Sequence, residues 1–575
     1  MQCAIGGKVV VSSSTPSPSP SPSPSPSGRL FNFQQKRLSL TLTSSSKLKI
    51  KAQPRLSSSA SALSSSSSSS SGVDYEQIVW PSPTDEIPFW NKDFPSSDVH
   101  LVVEQVNKDH QLLHITHVTA EMAPIAKVGG LGDVVTGLAR ASLSRGHTVD
   151  VMLPFYECIP RHHINDFTLI TTYNSYHDGD WIPTNAFRGL VSGIPVIFIE
   201  PSNHFFKGTH VYGGSYNELE AYLFFSRACL EWMQVTGTQP DIIHIHEWQT
   251  GALPLLFWDI YHSLSLKKPR IVLTIHNMEH FGECSERQLS KCGLDGSMYA
   301  TIDKAVDDRT LGHNPERLSL LKGGIVYSNA VVTVSPTYLK ETMCSGWLSS
   351  TLVRNRHKYS GILNGIDTAI WNPAFDVFLP AKFHAQNSEG KKLCKYFVQR
   401  GLGLASVDHV SDMRTRMPLV VCVTRLVAQK GLHLIIHAIK RVEELGGQMI
   451  VLGKAPDGSI QREFEGLAKL VPVVRKTGGL ADTVFDMDDQ PNQEMANGFV
   501  FEGIDEASLD GALERAFSYF KNKPNKWNSI VRKVMEIDNS WNNTAGKYIE
   551  VYNAVTLQVL PAAENQQRIR QTLRY

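Results

Sequence analysis

Two sets of short, β-branched apolar runs, each interleaved with helical patterns, predict an α/β fold of two doubly wound domains facing a cleft, the second domain shortened. The first set comprises Val149–Leu153, Pro195–Ile199, Ile242–Ile245, Ile271–Ile275 and Ala330–Val334. The second starts at Leu419–Val423 and continues through a Leu432–Leu445 helix to Met449–Gly453. Runs apolar at nearly every position suit strands buried on both faces of a mostly parallel sheet, with helices above and below. In such folds ligands meet the carboxyl ends of the strands.

The chain has 575 residues, with room for two or three domains, and 42% hydrophobic and 19% charged residues are ordinary for a globular protein. No apolar run reaches membrane-spanning length. A net charge of +1 gives no general attraction for nucleic acid or anionic membrane, so any anion site must be local.

Residues 1–73 contain no Asp or Glu, carry a Ser-Pro alternation from Ser12 to Ser27 and continue in serine runs through Ser71. This composition cannot build a core. Basic, serine-rich and acid-poor, with no compact apolar run near the start, it reads as an organelle transit peptide rather than a secretory signal. Residues 74–110 are a Pro-rich linker with Trp80, Trp90 and Phe94 among turn residues. The first domain is then expected over 111–375, a connection over 376–416, the second domain over 417–555 and a tail over 556–575.

That second domain is too short. A helix at Ser459–Leu470 runs almost directly into a strand at Val471–Val474 without turn chemistry, where a complete doubly wound domain needs further strand-helix pairs. Trp527 and Trp541 are expected on helices that return to pack on the first domain. The eight cysteines, from Cys3 to Cys422, show no C-x-x-C pair and no His-Cys spacing suited to zinc, and read as mostly reduced, buried thiols. Cys284 and Cys292 are placed to become neighbours, which leaves a regulatory disulfide open.

The candidate site residues lie at strand-to-helix junctions. Lys127-Val128-Gly129-Gly130-Leu131-Gly132-Asp133-Val134 follows the strand ending near His117 and opens a helix. Absent Cβ atoms at Gly129 and Gly130 let an anion approach backbone N–H groups and the positive helix end, with Lys127 adding a cation. His276-Asn277 ends one buried run and His246-Glu247-Trp248 another. Arg425 and Lys430 follow a strand and open a helix, where Arg grips phosphate bidentately and Lys adds a point charge without a metal. Asn364-Gly365-Ile366-Asp367 is a turn by its chemistry.

Together these motifs resemble the starch and glycogen synthases, retaining glucosyltransferases that extend α-1,4-glucans from a nucleotide-glucose donor. The resemblance runs from about Leu113 to about Tyr552. It rests on Lys127–Val134, His246-Glu247-Trp248-Gln249, Thr274-Ile275-His276-Asn277, Val334-Ser335-Pro336-Thr337-Tyr338, Gly361–Asp367, Thr424-Arg425-Leu426 with Gln429-Lys430-Gly431, and Lys476-Thr477-Gly478-Gly479-Leu480. The likeness is strongest to the plant soluble synthases of the granule-initiating kind, classes IV and V.

The resemblance implies the GT-B arrangement, with ADP-glucose as donor substrate, no cofactor and no metal, and with an α-glucan acceptor in a plastid (chloroplast or amyloplast). It assigns His276 and Asn277 to catalysis, the backbone carbonyl of His276 lying near the anomeric carbon. It assigns Lys127, Gly129, Gly130, Asp133, Arg425, Lys430, Thr477, Gly478 and Gly479 to the donor and its phosphates, and His246, Glu247 and Tyr212 to acceptor or orienting contacts. Three departures stand out. Glu247 replaces the family's usual Asp, and Asn217–Tyr222 lacks the arginine of an acidic pair followed by Arg-Phe. A Phe-Glu-Pro-Cys-Gly-Leu motif, whose glutamate holds the donor, is missing with several dozen residues of the second domain. The expected activity is therefore starch synthesis with impaired turnover. The alternative is a non-catalytic relative that binds glucan and protein partners in granule initiation.

Overall fold

The computed structural model describes residues 108–558 apart from 214–216, 300–316, 369, 377–378, 403, 405–416, 454–473, 476 and 490–493. The expected transit peptide, the linker up to 107, the Ser459–Leu470 helix, Val471–Val473, Lys476 and the tail beyond 558 lie outside the described residues.

Nine strands form one sheet: β1 (His114–Val118), β2 (Thr148–Pro154), β3 (Asn165–His177), β4 (Asp180–Val191), β5 (Ile194–Pro201), β6 (Ile242–His246), β7 (Arg270–Ile275), and, after the separate antiparallel pair β8 (Glu283–Ser285) and β9 (Arg317–Ser319), β10 (Ala330–Thr333) and β11 (Tyr359–Gly361). The spatial order is β11-β10-β7-β6-β1-β2-β5-β4-β3, parallel from β11 to β5. The chain fills β1, β2 and β5 in one direction, returns to β6 beside β1, and fills β7, β10 and β11 in the other. The order reverses between β1 and β6, which opens a crevice at their carboxyl ends.

All five apolar runs of the first set become strands of this sheet. The hairpin β3–β4 is an antiparallel extension, unexpected from the sequence because its strands are half exposed and form no continuous apolar run. Its turn, Asp178-Gly179, has φ of 50° and 94°, the two positive values that a two-residue turn matching strand twist requires. Helices cover both faces, among them α1 (Gly130–Ser144) and α2 (Glu218–Thr236), and one continuous core runs from Leu113 to Val555.

Among its described residues the C-terminal region holds two short parallel pairs. β12 (Leu419–Val423) lies in register with β13 (Gln448–Leu452), joined by the Leu432–Glu444 helix, and β14 (Val474–Arg475) pairs with β15 (Val500–Phe501). Val420, Met449 and Phe501 meet Leu509, Leu513 and Phe517 of the Glu506–Asn522 helix in a small core. The other face is open: Val423 is 69% and Leu452 63% exposed.

The Trp541–Thr556 helix returns to the large sheet, and Trp541, Tyr548 and Tyr552 enter its core. Gly137 on α1 permits this approach, since a Cβ there would lie 2.1 Å from Trp541 Nε1. Trp527 departs from expectation. It stays in the C-terminal region, where it packs beside Phe499 and Tyr519 because its helix, Pro524–Glu536, lies against the Glu506–Asn522 helix. The turn at Ile366 bridges to Ser540, and Asp367 pairs with Arg140 of α1, so both chain crossings run side by side.

Candidate active site

The residues after β1, β6 and β7 converge at the point where strand order reverses. Glu247, the first residue after β6, carries φ 63° and ψ −177°, a region tolerated almost only by glycine and costing about 1–3 kcal/mol for other residues. The strain turns its side chain across to the next strand end. There Glu247 Oε1 accepts from the backbone N–H of His276 at 2.5 Å and of Asn277 at 2.7 Å. Burial pushes the Glu247 carboxyl up to about 8, the two amides pull it down and the neighbouring Glu121 raises it again. At neutral pH it is therefore mostly protonated, a neutral brace for the His276–Asn277 backbone. Glu247, expected in an acceptor or orienting contact, is placed with its carboxyl on the His276 and Asn277 amides.

Below this brace lies a cluster of imidazoles. His117 Nδ1 is 3.1 Å from His246 Nε2, and His246 Nδ1 is 3.2 Å from His276 Nε2. His244 bonds Thr274 Oγ1 through Nε2 at 2.7 Å and the Tyr552 hydroxyl through Nδ1 at 2.8 Å. The sheet register explains the grouping: His117 is paired with His244, and His246 lies two residues on, on the same face. Burial lowers His117 and His276 to about 3 and His244 and His246 well below the usual imidazole range, so all four are neutral. His117, His244 and His246 offer nitrogens within 4.8 Å of one another, a spacing a metal ion could exploit. Five of their six nitrogens are already in hydrogen bonds, His117 Nε2 being the exception. His246 is fully buried, which places it behind His276 rather than against an acceptor.

The glycine-rich turn has an internal occupant. Glu121 Oε2 accepts from the N–H of Val128 at 2.9 Å and of Gly129 at 2.8 Å, and Glu121 Oε1 accepts from Tyr212 Oη at 2.8 Å. The amide expected to meet phosphate at Gly129 therefore holds a carboxylate, and an anion would have to use first-turn amides from Gly130 onward. Lys127 Nζ is engaged with Asp133 Oδ2 at 2.8 Å, both side chains more than one-third exposed. Gly130 has open space where a Cβ would stand.

Arg425 and Lys430 are exposed, and neither meets a carboxylate among the described residues. Their loop reaches the first strand ends through Gln429, whose Nε2 lies 3.5 Å from Asn277 Oδ1. Thr477, Gly478 and Gly479 sit elsewhere. Thr477 Oγ1 and Gly478 N–H donate to Glu341 at 2.9 and 3.1 Å, and Asp482 accepts from Thr337 N–H and Oγ1. A carboxylate of the Pro336–Cys344 helix thus takes the amide expected to face a diphosphate, and Gly479 packs near Leu363 and Ser335.

The altered stretch Asn217–Tyr222, the cap and first turns of α2, is structural. Glu218 accepts from Gly213 N–H, Glu220 is paired with Lys291, and Tyr222 is buried against the Tyr156 hydroxyl. Cys284 and Cys292 are both free and buried, with thiols raised to about 12.

Glu121, His117, His244 and Tyr552 were not anticipated. The alternation His244-Ile245-His246 was the available signal, because residues two apart on a strand share a face. Glu121 follows β1 at the strand end where ligands gather, but a carboxylate that turns back onto its own loop leaves no mark in sequence.

With this geometry in hand, the comparisons are direct. The starch synthase catalytic domain family matches residues 114–348. A probable starch synthase 4, chloroplastic/amyloplastic, of Arabidopsis thaliana is 39% identical over 535 aligned positions, covering 80% of this chain and 50% of the relative. The chain thus spans about half that relative's length. Eighty per cent of 575 residues is about 460, so about 75 aligned positions have no counterpart in this chain. A glycogen synthase of Protochlamydia amoebophila is 36% identical, covering 77% of this chain and 99% of its own length. Among solved structures, the catalytic domain of starch synthase IV from Arabidopsis thaliana, bound to ADP and acarbose, superposes with a TM-score of 0.73 at 40% identity over 78% of this chain and all of its own. The described helices include none long and apolar enough to cross a membrane. A strand-order reversal carrying His276, Asn277 and Glu247, together with these matches, shows that the chain belongs to the starch and glycogen synthase family of glycosyltransferases.

Proposed function

We propose that this chain is a starch synthase with impaired turnover, moving glucose from ADP-glucose to the non-reducing end of an α-1,4-glucan with retention of configuration, in a plastid and without a cofactor. In that transfer the bond from the anomeric carbon to the diphosphate oxygen breaks and a bond to the acceptor 4-oxygen forms. Positive charge grows at the sugar and negative charge on the leaving ADP. The observation that carries the reading is the Gln429–Asn277 contact, which brings the loop bearing Arg425 and Lys430, neither paired with a carboxylate among the described residues, to the strand end holding His276. Cations at the phosphates stabilise the leaving group without a metal. His276 and Asn277, braced by Glu247, stand where the sugar would lie.

Impairment follows from the C-terminal region, which lacks the family's glutamate motif and leaves Val423 and Leu452 exposed on a two-stranded sheet. The same observation supports a second reading, a glucan-binding relative that acts in granule initiation with protein partners and does not turn over. Titration with ADP-glucose tests the first reading. Arg425→Ala is expected to weaken binding about ten- to hundredfold, the worth of charge-assisted hydrogen bonds to phosphate. Lys127→Ala is expected to do much less, because Lys127 already neutralises Asp133. Unchanged affinity in Arg425→Ala would remove the donor assignment, and no binding by the parent chain would favour the second reading.

A further inference from the structure

We propose that His117 and His246 form a tautomer relay that presents His276 to its ligand with Nδ1–H as a fixed donor and with Nε2 as an acceptor turned into the sheet. Three imidazoles stand in series, linked at 3.1 and 3.2 Å. Each is neutral and owns one proton, because burial disfavours the imidazolium at every member. Two links and three protons allow only two complete arrangements.

In the first, His117 Nδ1–H donates to His246 Nε2, His246 Nδ1–H donates to His276 Nε2, and the remaining proton sits on His276 Nδ1. In the second every proton moves to Nε2: His276 donates to His246, His246 donates to His117, and His117 Nε2–H points into the core. The far end decides between them. His117 is fully buried and its Nε2 has no hydrogen-bond partner. The first arrangement leaves a bare lone pair there, whereas the second leaves a buried N–H without an acceptor, and orphaned buried donors are the rarer of the two in folded proteins. At the near end His276 Nδ1 has no protein partner among the described residues, so it is the nitrogen left for a ligand.

The consequence is chemical. A ring held as an Nδ1–H donor offers a hydrogen bond to an oxygen of the bound sugar or diphosphate, and its lone pair is unavailable as a base. Two buried residues that touch no ligand thereby set the hydrogen-bond polarity of the one that does. The ligand half of this inference rests on the ADP-glucose reading above, whereas the tautomer half does not.

Long-range proton–nitrogen correlation NMR on the full chain labelled in histidine reads which nitrogen of each ring is protonated, with His276 assigned from the His276→Ala spectrum. The expected result is a proton on Nδ1 of His117, His246 and His276; a proton on Nε2 of His276 overturns the proposal. His117→Asp puts an acceptor near the Nδ1 position in place of the terminal donor, so His246 donates to it from Nε2 and the His276 proton is expected to shift to Nε2, weakening ADP-glucose binding about tenfold. His117→Asn, whose amide can donate from near the Nδ1 position, is expected to keep the parent tautomer and affinity. A folded His117→Asp chain with the parent His276 tautomer overturns the relay. If His117→Asp does not fold, the parent spectrum and His117→Asn decide. Failure of the parent chain to bind ADP-glucose would count against the donor assignment and leave the tautomer result standing.

Discussion

The large sheet and the C-terminal region were built by the same rules and reached different ends. The sheet has nine strands with helices on both faces, and most of its core side chains are almost wholly buried. Among its described residues the C-terminal region has two pairs of strands over small clusters, with Val421, Val423 and Leu452 facing solvent. Burying an aliphatic side chain of that size is worth about 1.5–3 kcal/mol, so a doubly wound region that leaves its strand residues open forgoes stability it was patterned to gain. Among the described residues the half carrying His276 is closed on both faces of its sheet. The half carrying Arg425 and Lys430 is thin, and in the reading proposed above turnover requires both.

The largest expected effect is in hydrogen exchange. Amides of β12 and β13 should open locally and exchange at least about a hundredfold faster than those of β1, β6 and β7, a gap of roughly 3 kcal/mol in opening free energy. Equal protection would mean that the C-terminal region shares the stability of the sheet, and the contrast would fail.

Stability against pH sharpens the same contrast, since His117 on β1 and, at the ends of β6 and β7, Glu247 and His276 all belong to the half built on the large sheet. His117 and His276 are lowered to about 3 from an ordinary 6.5, so the unfolded chain binds protons that the folded chain refuses. Stability from these rings is present above 6.5 and is lost as pH falls toward 3, at up to about 1.4 kcal/mol per pH unit for each proton. Glu247 has the opposite sign. Raised to about 8 from 4.5, it contributes stability that is present below 4.5 and is lost as pH rises through 8. Two histidines outweigh one glutamate between 4.5 and 6.5, so unfolding midpoints measured across pH should rise to about 6.5 and then decline gently toward 8. In Glu247→Gln the decline should vanish, and a curve unchanged by that substitution would contradict the brace.

Sequence and structure agree best where burial alone decides. The runs around Ile242 and Ile271 had to be strands because nothing else buries such residues at that length, and Glu247 and His276 stand at their ends. The β3–β4 hairpin was missed because half of its residues face water, although Asp178-Gly179 announced its turn. The roles of Glu121 and Glu341 were invisible for another reason: each carboxylate fills an amide site made by a different segment, and such a pairing exists only after folding. The histidine series likewise depends on register between β1, β6 and β7, which no single strand encodes.

Smaller effects probe the seam between the halves. Gly137→Ala forces a Cβ onto Trp541 and should cost about 1–3 kcal/mol by thermal or denaturant unfolding, because the Trp541–Thr556 helix must shift on α1. Neutral behaviour would show that this helix is loosely held. Tyr552→Phe removes the hydroxyl on His244 Nδ1 and should cost about 1 kcal/mol without altering ADP-glucose binding. A large loss of binding there would place His244 in the ligand-facing machinery instead.

The central claim is that the His276 site is built and is limited by the donor half. Its most direct test is incorporation of labelled glucose from ADP-glucose into glycogen or amylopectin by this chain, with co-sedimentation on the same glucan run in parallel. The account predicts glucan binding with slow incorporation that disappears in His276→Ala. Incorporation that survives His276→Ala, or a chain that neither binds glucan nor incorporates glucose, would contradict it.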